Sequence, residues 1–206
     1  MKQHPFRILA AAIIGLTFSF IISSAAAQTS TRDTWQQPEN IMDSLGIRRG
    51  MIVGEAGAGD GYFTFHLAKR VGDEGKIIAN DIDKRALQRL FDRCTREHVQ
   101  NIDTLLGKID DPLFPSGALD CVVMMMAFHD FEKPVEWMNN VAPALKPGAF
   151  LAIIDQDPDK TKRDRGHFWT KEKVLATMEK TEFELVRLFT FLERDNIYMY
   201  RLKEGR

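Results

Sequence analysis

The run Glu55-Ala56-Gly57-Ala58-Gly59-Asp60-Gly61 has the composition of a ligand-binding turn. Three glycines at alternate positions let the backbone turn tightly and approach a ligand without Cβ interference, and the amides of a following helix then face that ligand. An apolar segment, Met51-Ile52-Val53, precedes the run and a helix-like one follows it. A second group stands downstream. Lys76-Ile77-Ile78-Ala79 leads to Asp81, twenty residues after Gly61, where the second strand of a nucleotide-binding βαβ unit carries a ribose-binding carboxylate.

The residues around the glycines restrict the nucleotide. A dinucleotide fingerprint needs a third glycine or alanine where this chain has Tyr62, and a phosphate-cradling loop needs Gly-Lys-Ser/Thr, which the chain lacks. Glu55, just before the glycines, repels a pyrophosphate and attracts a cation. A sulfonium amino acid therefore fits better than NAD or ATP.

With these residues in place the chain resembles the class I S-adenosylmethionine-dependent methyltransferases. Glu55 to Gly61 matches their E/D-x-G-x-G-x-G signature, Asn80-Asp81-Ile82-Asp83 their second motif, Leu119-Asp120-Cys121-Val122-Val123 their fourth strand, and Leu145-Lys146-Pro147-Gly148 the turn into their fifth. The resemblance implies S-adenosylmethionine as cofactor and a small-molecule methyl acceptor. It implies that the backbone of Ala56, Gly57, Gly59 and Gly61 wraps the methionine part, that Glu55 holds the ammonium group, and that Asp81 accepts both ribose hydroxyls. Ile82 is either an adenine-packing or a plain core residue. The adenine end departs from the family: Lys108 stands where an acidic residue often meets the adenine amino group, leaving the main chain of Lys108 and Ile109, or a shifted Asp110, to read the base.

After the fourth strand the chain reads Ala127-Phe128-His129-Asp130-Phe131, with no Asn/Asp-Pro-Pro-Tyr/Phe motif. His129 is the candidate catalytic base, since neutral imidazole accepts a proton near neutral pH; the alternative is a hydrogen bond to a neighbouring loop. Asp155 ends the fifth strand and can face the substrate. Gln156 to Thr170 is a fifteen-residue charged loop ending in His167, Phe168 and Trp169, aromatic groups suited to closing over a flat or apolar acceptor. No metal site is expected: Met124-Met125-Met126 lies in a continuous apolar run and reads as buried strand. A non-catalytic, exported binding module for a nucleoside or sulfonium ligand is the competing function.

The elements that must carry these groups alternate strand and helix, which predicts a Rossmann-like, doubly wound α/β sheet of about seven strands with helices on both faces. Strands are expected over 51–55, 76–81, 102–106, 119–127, 149–155, 183–192 and 197–202, and helices over 38–45, 61–70, 84–98, 134–145 and 171–180. Only Glu193 to Asn196 separate the last two strands, too few for a crossover, so the last strand should run antiparallel. In the helix over 84–98, Ala86, Leu87, Leu90 and Phe91 form the expected core face.

At 206 residues, 44% apolar, the chain is long enough for one well-cored domain. Its formal charge of −1 predicts no generic attraction to nucleic acid. Lys2, His4 and Arg7, the apolar stretch 8–22 and Ala25-Ala26-Ala27 read as a secretory signal over 1–27, followed by a single domain over 28–206 whose first part, 28–50, is a linker and capping helix. Export to the periplasm or medium follows, with no membrane contact after cleavage. Cys94 and Cys121 are expected to be unpaired core thiols.

Overall fold

The computed structural model describes residues 31–162 and 166–204. The signal-like segment 1–27 lies outside the described residues, as do Arg163, Asp164 and Arg165 of the charged loop. Seven strands form one sheet: β1 (Ile52–Ala56), β2 (Lys76–Asp81), β3 (Ile102–Leu106), β4 (Leu119–Met125), β5 (Leu145–Gln156), β6 (Phe183–Phe189) and β7 (Asp195–Leu202), in the order β3-β2-β1-β4-β5-β7-β6. β1 to β5 pair in parallel, while β7 inserts antiparallel between β5 and β6. The short β6–β7 connection forces that reversal, as expected.

Helices α1 (Thr31–Gln36), α2 (Pro38–Leu45), α3 (Tyr62–Val71), α4 (Lys84–Glu97), α5 (Pro134–Val141), α6 (Pro158–Thr161) and α7 (Lys171–Met178) complete the fold. Two apolar layers sandwich the sheet. Phe63, Leu67, Val71 and Leu90 pack with Val53, Ile77, Cys121 and Val123 on one face; Trp137, Met138, Val141 and Val174 pack with Val122, Met124, Leu151 and Ile153 on the other. Central strands buried on both faces explain the unbroken apolar runs. α4 begins where the Asp83 carboxylate accepts from the Arg85 amide, and it turns Ala86, Leu87, Leu90 and Cys94 inward. Phe91 departs from expectation. It is 55% exposed, one position off the buried stripe, and it is Arg93 that stacks on Phe65.

Three other expectations change. Residues 31–36, read as linker, form α1, held by Gln36, whose amide donates to the buried Asp195 carboxylate at 3.1 Å. The segment 142–144 is a 3-10 turn rather than the end of α5, and β5 starts at Leu145 through its pairing with Leu119. Met124 and Met125 are buried strand, but Met126 leaves the strand with φ 55°. Both thiols are buried and free, and burial pushes the Cys121 thiol far above its ordinary pKa. Among the described residues no helix is long and apolar enough to cross a membrane.

Candidate functional site

β1 and β4 are neighbours whose following helices cover opposite faces, so a crevice opens beyond their carboxyl ends. The glycine loop lies there. Gly57 has φ 71°, and a Cβ on it would meet the Ala127 Cβ at 2.4 Å, so this position brings the β1 and β4 loops into contact. Gly59 has φ 57° and faces open space, leaving its backbone surface accessible to a ligand. Gly61 acts in packing: a Cβ there would stand 2.5 Å from Leu90 of α4.

Gly57 and Met126 line two adjoining cavities. The smaller, about 150 Å³, is bounded by Arg32, Glu55, Ala58, Gly59, Tyr62 and Met125. The larger, about 300 Å³, is bounded by Asp81, Ile82, Lys108, Ile109, Asp130 and Trp137 among others. Ala56 is fully buried at the end of β1, and neither Ala56 nor Gly61 lines either of these two cavities. A wider depression of about 850 Å³ lies at the opposite end of the sheet, around Gly72, Gly75, Lys76 and Asn101, away from the glycine loop.

Glu55 carries the chemistry of the smaller cavity. It is 2% exposed, and its Oε2 has no hydrogen-bond partner among the described residues. Burial pushes its carboxyl up to about 8; the charge of Asp81 adds to this, while the Thr64 hydroxyl and Arg32 oppose it. An orphaned buried acceptor beside a glycine opening is what an ammonium group would satisfy. Helix α1 roofs this end: Tyr62 donates to Asp33 at 2.7 Å, and the Arg32 guanidinium lies 3.7 Å from the Tyr62 ring centre. Sequence patterning missed α1 because six residues are too few to show a helical period.

Asp81 sits between the cavities. Its Oδ2 accepts from the Gly59 amide and its Oδ1 from the Asp83 amide, each at 2.8 Å. An ionised carboxylate has lone pairs to spare for two hydroxyls as well. Ile82 is 59% exposed at the larger cavity, an apolar side chain placed for stacking rather than core. The Lys108 amide donates to the Asp111 carbonyl at 2.7 Å, closing a turn, which leaves Ile109 as the main-chain candidate for reading adenine. Asp110 turns away, its carboxylate 3.3 Å from Lys133 Nζ.

His129 lies in a 3-10 turn over 128–130, with its side chain buried. Its Nδ1 is 2.8 and 2.9 Å from the two oxygens of Asp155, and its amide donates to Asp155 at 3.1 Å. Burial works against the imidazolium, but the Asp155 hydrogen bond and charge, with Asp130, outweigh it and raise the histidine pKa. His129 borders neither cavity; Asp130, 3.4 Å from its Nε2, lines the larger one. Phe168 and His167 stack edge-on against His129 at 4.5 and 4.7 Å between ring centres, so the end of the 156–170 segment covers this histidine. Trp169 packs on Phe128 at 5.3 Å. The first half of that segment is not a solvated loop. It contains α6, and Lys160 Nζ donates to the carbonyls of Thr190, Leu192 and Asp195. Trp35 lies near Arg194, 4.5 Å from its guanidinium, on the β6–β7 turn.

Residues 53–148 match the family model of the methyltransferase domain. That match, just under half of the chain, together with the seven-stranded Rossmann-like sheet and its glycine crevice, supports a class I S-adenosylmethionine-dependent methyltransferase with S-adenosylmethionine as cofactor. Among curated proteins it is similar to the ubiquinone/menaquinone biosynthesis C-methyltransferase UbiE of Hydrogenovibrio crunogenus, 27% identical over 111 residues, 53% of this chain and 44% of that one. The same enzyme of Escherichia fergusonii is 26% identical over 121 residues, 55% of this chain and 46% of that one. The chain thus spans under half the length of these relatives. A crystallised S-adenosylmethionine-dependent methyltransferase from Aquifex aeolicus superposes with a TM-score of 0.77 at 22% identity, over 84% of this chain and 93% of that one.

Proposed function

We propose that this protein transfers a methyl group from S-adenosylmethionine to a small-molecule acceptor. One observation carries the reading: two carboxylates of different character flank one glycine turn, Glu55 buried with an unpartnered oxygen and Asp81 half-buried beside the open Gly59. That pairing suits a ligand with an ammonium group at one end and a vicinal diol at the other. Glu55 would hold the ammonium group, Asp81 the ribose hydroxyls, Ile82 a face of adenine and the Ile109 amide its edge. Bound S-adenosylmethionine supplies an electrophilic methyl group.

The chain's own work is alignment and exclusion of water, which can supply much of the rate of an in-line displacement. Phe168 and His167 shield the His129 side from solvent. The reading also includes export, supported by the basic, apolar and alanine-rich order of residues 1–27. Calorimetry with S-adenosylhomocysteine and with NAD tests the cofactor assignment: heat with the former alone is expected, and heat with NAD alone would overturn it. Label transfer from methyl-labelled S-adenosylmethionine into a cell-envelope small-molecule extract then tests turnover, and a mature amino terminus at Gln28 tests export.

A further inference from the structure

We propose that His129, Asp130 and His167 form a binding site for a divalent first-row transition metal ion, with Asp155 as the supporting carboxylate behind His129. Among the described residues these three are the one grouping of metal-ligating side chains whose donor atoms all lie within 4.8 Å of one another. The set is two imidazoles and one carboxylate, a borderline N/O combination that suits zinc and its first-row neighbours rather than calcium or magnesium.

The hydrogen bonding fixes the tautomer the site requires. His129 Nδ1–H donates to Asp155, whose second oxygen also receives the His129 amide, so the ring cannot rotate and Nε2 is the nitrogen left for a ligand. A ligating histidine held by a carboxylate on its other nitrogen is the usual outer support of a protein metal site. Nε2 lies 3.4 Å from Asp130 Oδ2. A cation between these two atoms, a proton or a metal ion, satisfies both. Ligand bonds of 2.0–2.1 Å in a tetrahedron separate donors by about 3.4 Å, so this pair already has a tetrahedral edge.

His167 supplies the third ligand. It is exposed, follows Gly166 and stacks edge-on against His129, so a modest swing brings a ring nitrogen to the same point. The ion would retain at least one open position, and Asp130 also borders the 300 Å³ cavity. Competing thiols are withdrawn, since Cys94 and Cys121 are buried.

Tag-free protein stripped with chelator, then dialysed against zinc chloride and separately titrated with cobalt chloride, tests the site. One zinc per chain and visible cobalt bands of low-symmetry coordination are expected, with His167→Ala and Asp130→Asn each weakening zinc binding more than about tenfold. S-adenosylhomocysteine affinity, measured on the same samples, should not change in His167→Ala, which separates this site from the cofactor reading. Wild-type protein that takes up no ion, or variants that bind zinc as wild type does, would overturn the proposal.

Discussion

The Gly59 amide donates to the Asp81 carboxylate at 2.8 Å, tying the tip of the glycine loop to the end of the neighbouring strand β2. The same carboxylate holds, with its other oxygen, the amide of Asp83, the residue that caps α4. Asp81 therefore sets the shape of the loop before any ligand arrives, and it keeps lone pairs for the proposed diol.

Replacing Asp81 with alanine removes the loop's anchor and the proposed diol acceptor together. Hydrogen bonds to charged groups contribute about 1.5–3 kcal/mol each, so losing two should weaken S-adenosylhomocysteine binding on the order of 100-fold or more. Asp81→Asn keeps one acceptor oxygen and should fall between. Calorimetry reads both, and an alanine variant that binds like wild type would remove Asp81 from the site.

Glu55 gives a pH signature of defined sign. Its folded pKa of about 8 stands above its ordinary 4.5, so its contribution to stability is complete below about 4.5 and is lost as pH rises through 8. Glu55→Gln lacks this titration. The melting temperature of wild type relative to Glu55→Gln should therefore decline between pH 5 and about 9. Binding an ammonium group requires the carboxylate, so S-adenosylhomocysteine should displace a proton near pH 7. Calorimetry in buffers of unlike ionisation enthalpy measures that release, and identical heats in all buffers would contradict the role of Glu55.

The two cavity-lining glycines should separate stability from binding. A Cβ at Gly57 collides with the Cβ of Ala127, a side chain too short to swing aside, and φ lies in the left-handed region, so Gly57→Ala should lower the melting temperature strongly. Gly59 meets nothing within 4 Å, and its alanine variant bears only the left-handed backbone cost of about 1–2 kcal/mol. Gly59→Ala should fold and yet lose cofactor affinity. Equal melting points for the two variants would refute the distinction.

What the sequence disclosed follows from where each signal is stored. The glycine turn, Asp81 and the strand–helix alternation are local patterns, and they appear in the structure within a few residues of expectation. The antiparallel β7 was legible because Glu193 to Asn196 is too short for anything else. Relations across the chain were hidden. Nothing in the local pattern joins His129 to Asp155, 26 positions away, or brings His167 onto His129, because both depend on β4 and β5 ending side by side. Phe91 was misplaced because a helical stripe fixes a face only to within one residue. Gln36 and Asp195 meet across 159 positions, and that buried contact turns an apparent linker into α1.

Lys160 shows the same dependence on distant partners and yields a stability test. Its ammonium group donates to three main-chain carbonyls at 3.0, 2.9 and 2.8 Å, closing α6 over the β6–β7 turn. Burial lowers its pKa, against the opposing charges of Asp157 and Asp195. Lys160→Met keeps the apolar stem and removes the donor, so the part-buried carbonyls of Leu192 and Asp195 lose a charged hydrogen bond, at a cost of about 1–3 kcal/mol. Chemical denaturation should register a loss of that size. The turn also carries Asp195, whose carboxylate receives Gln36 of α1, so hydrogen exchange in residues 31–36 should quicken in the same variant. Unchanged exchange there, with stability still reduced, would show that α1 is held independently of the turn.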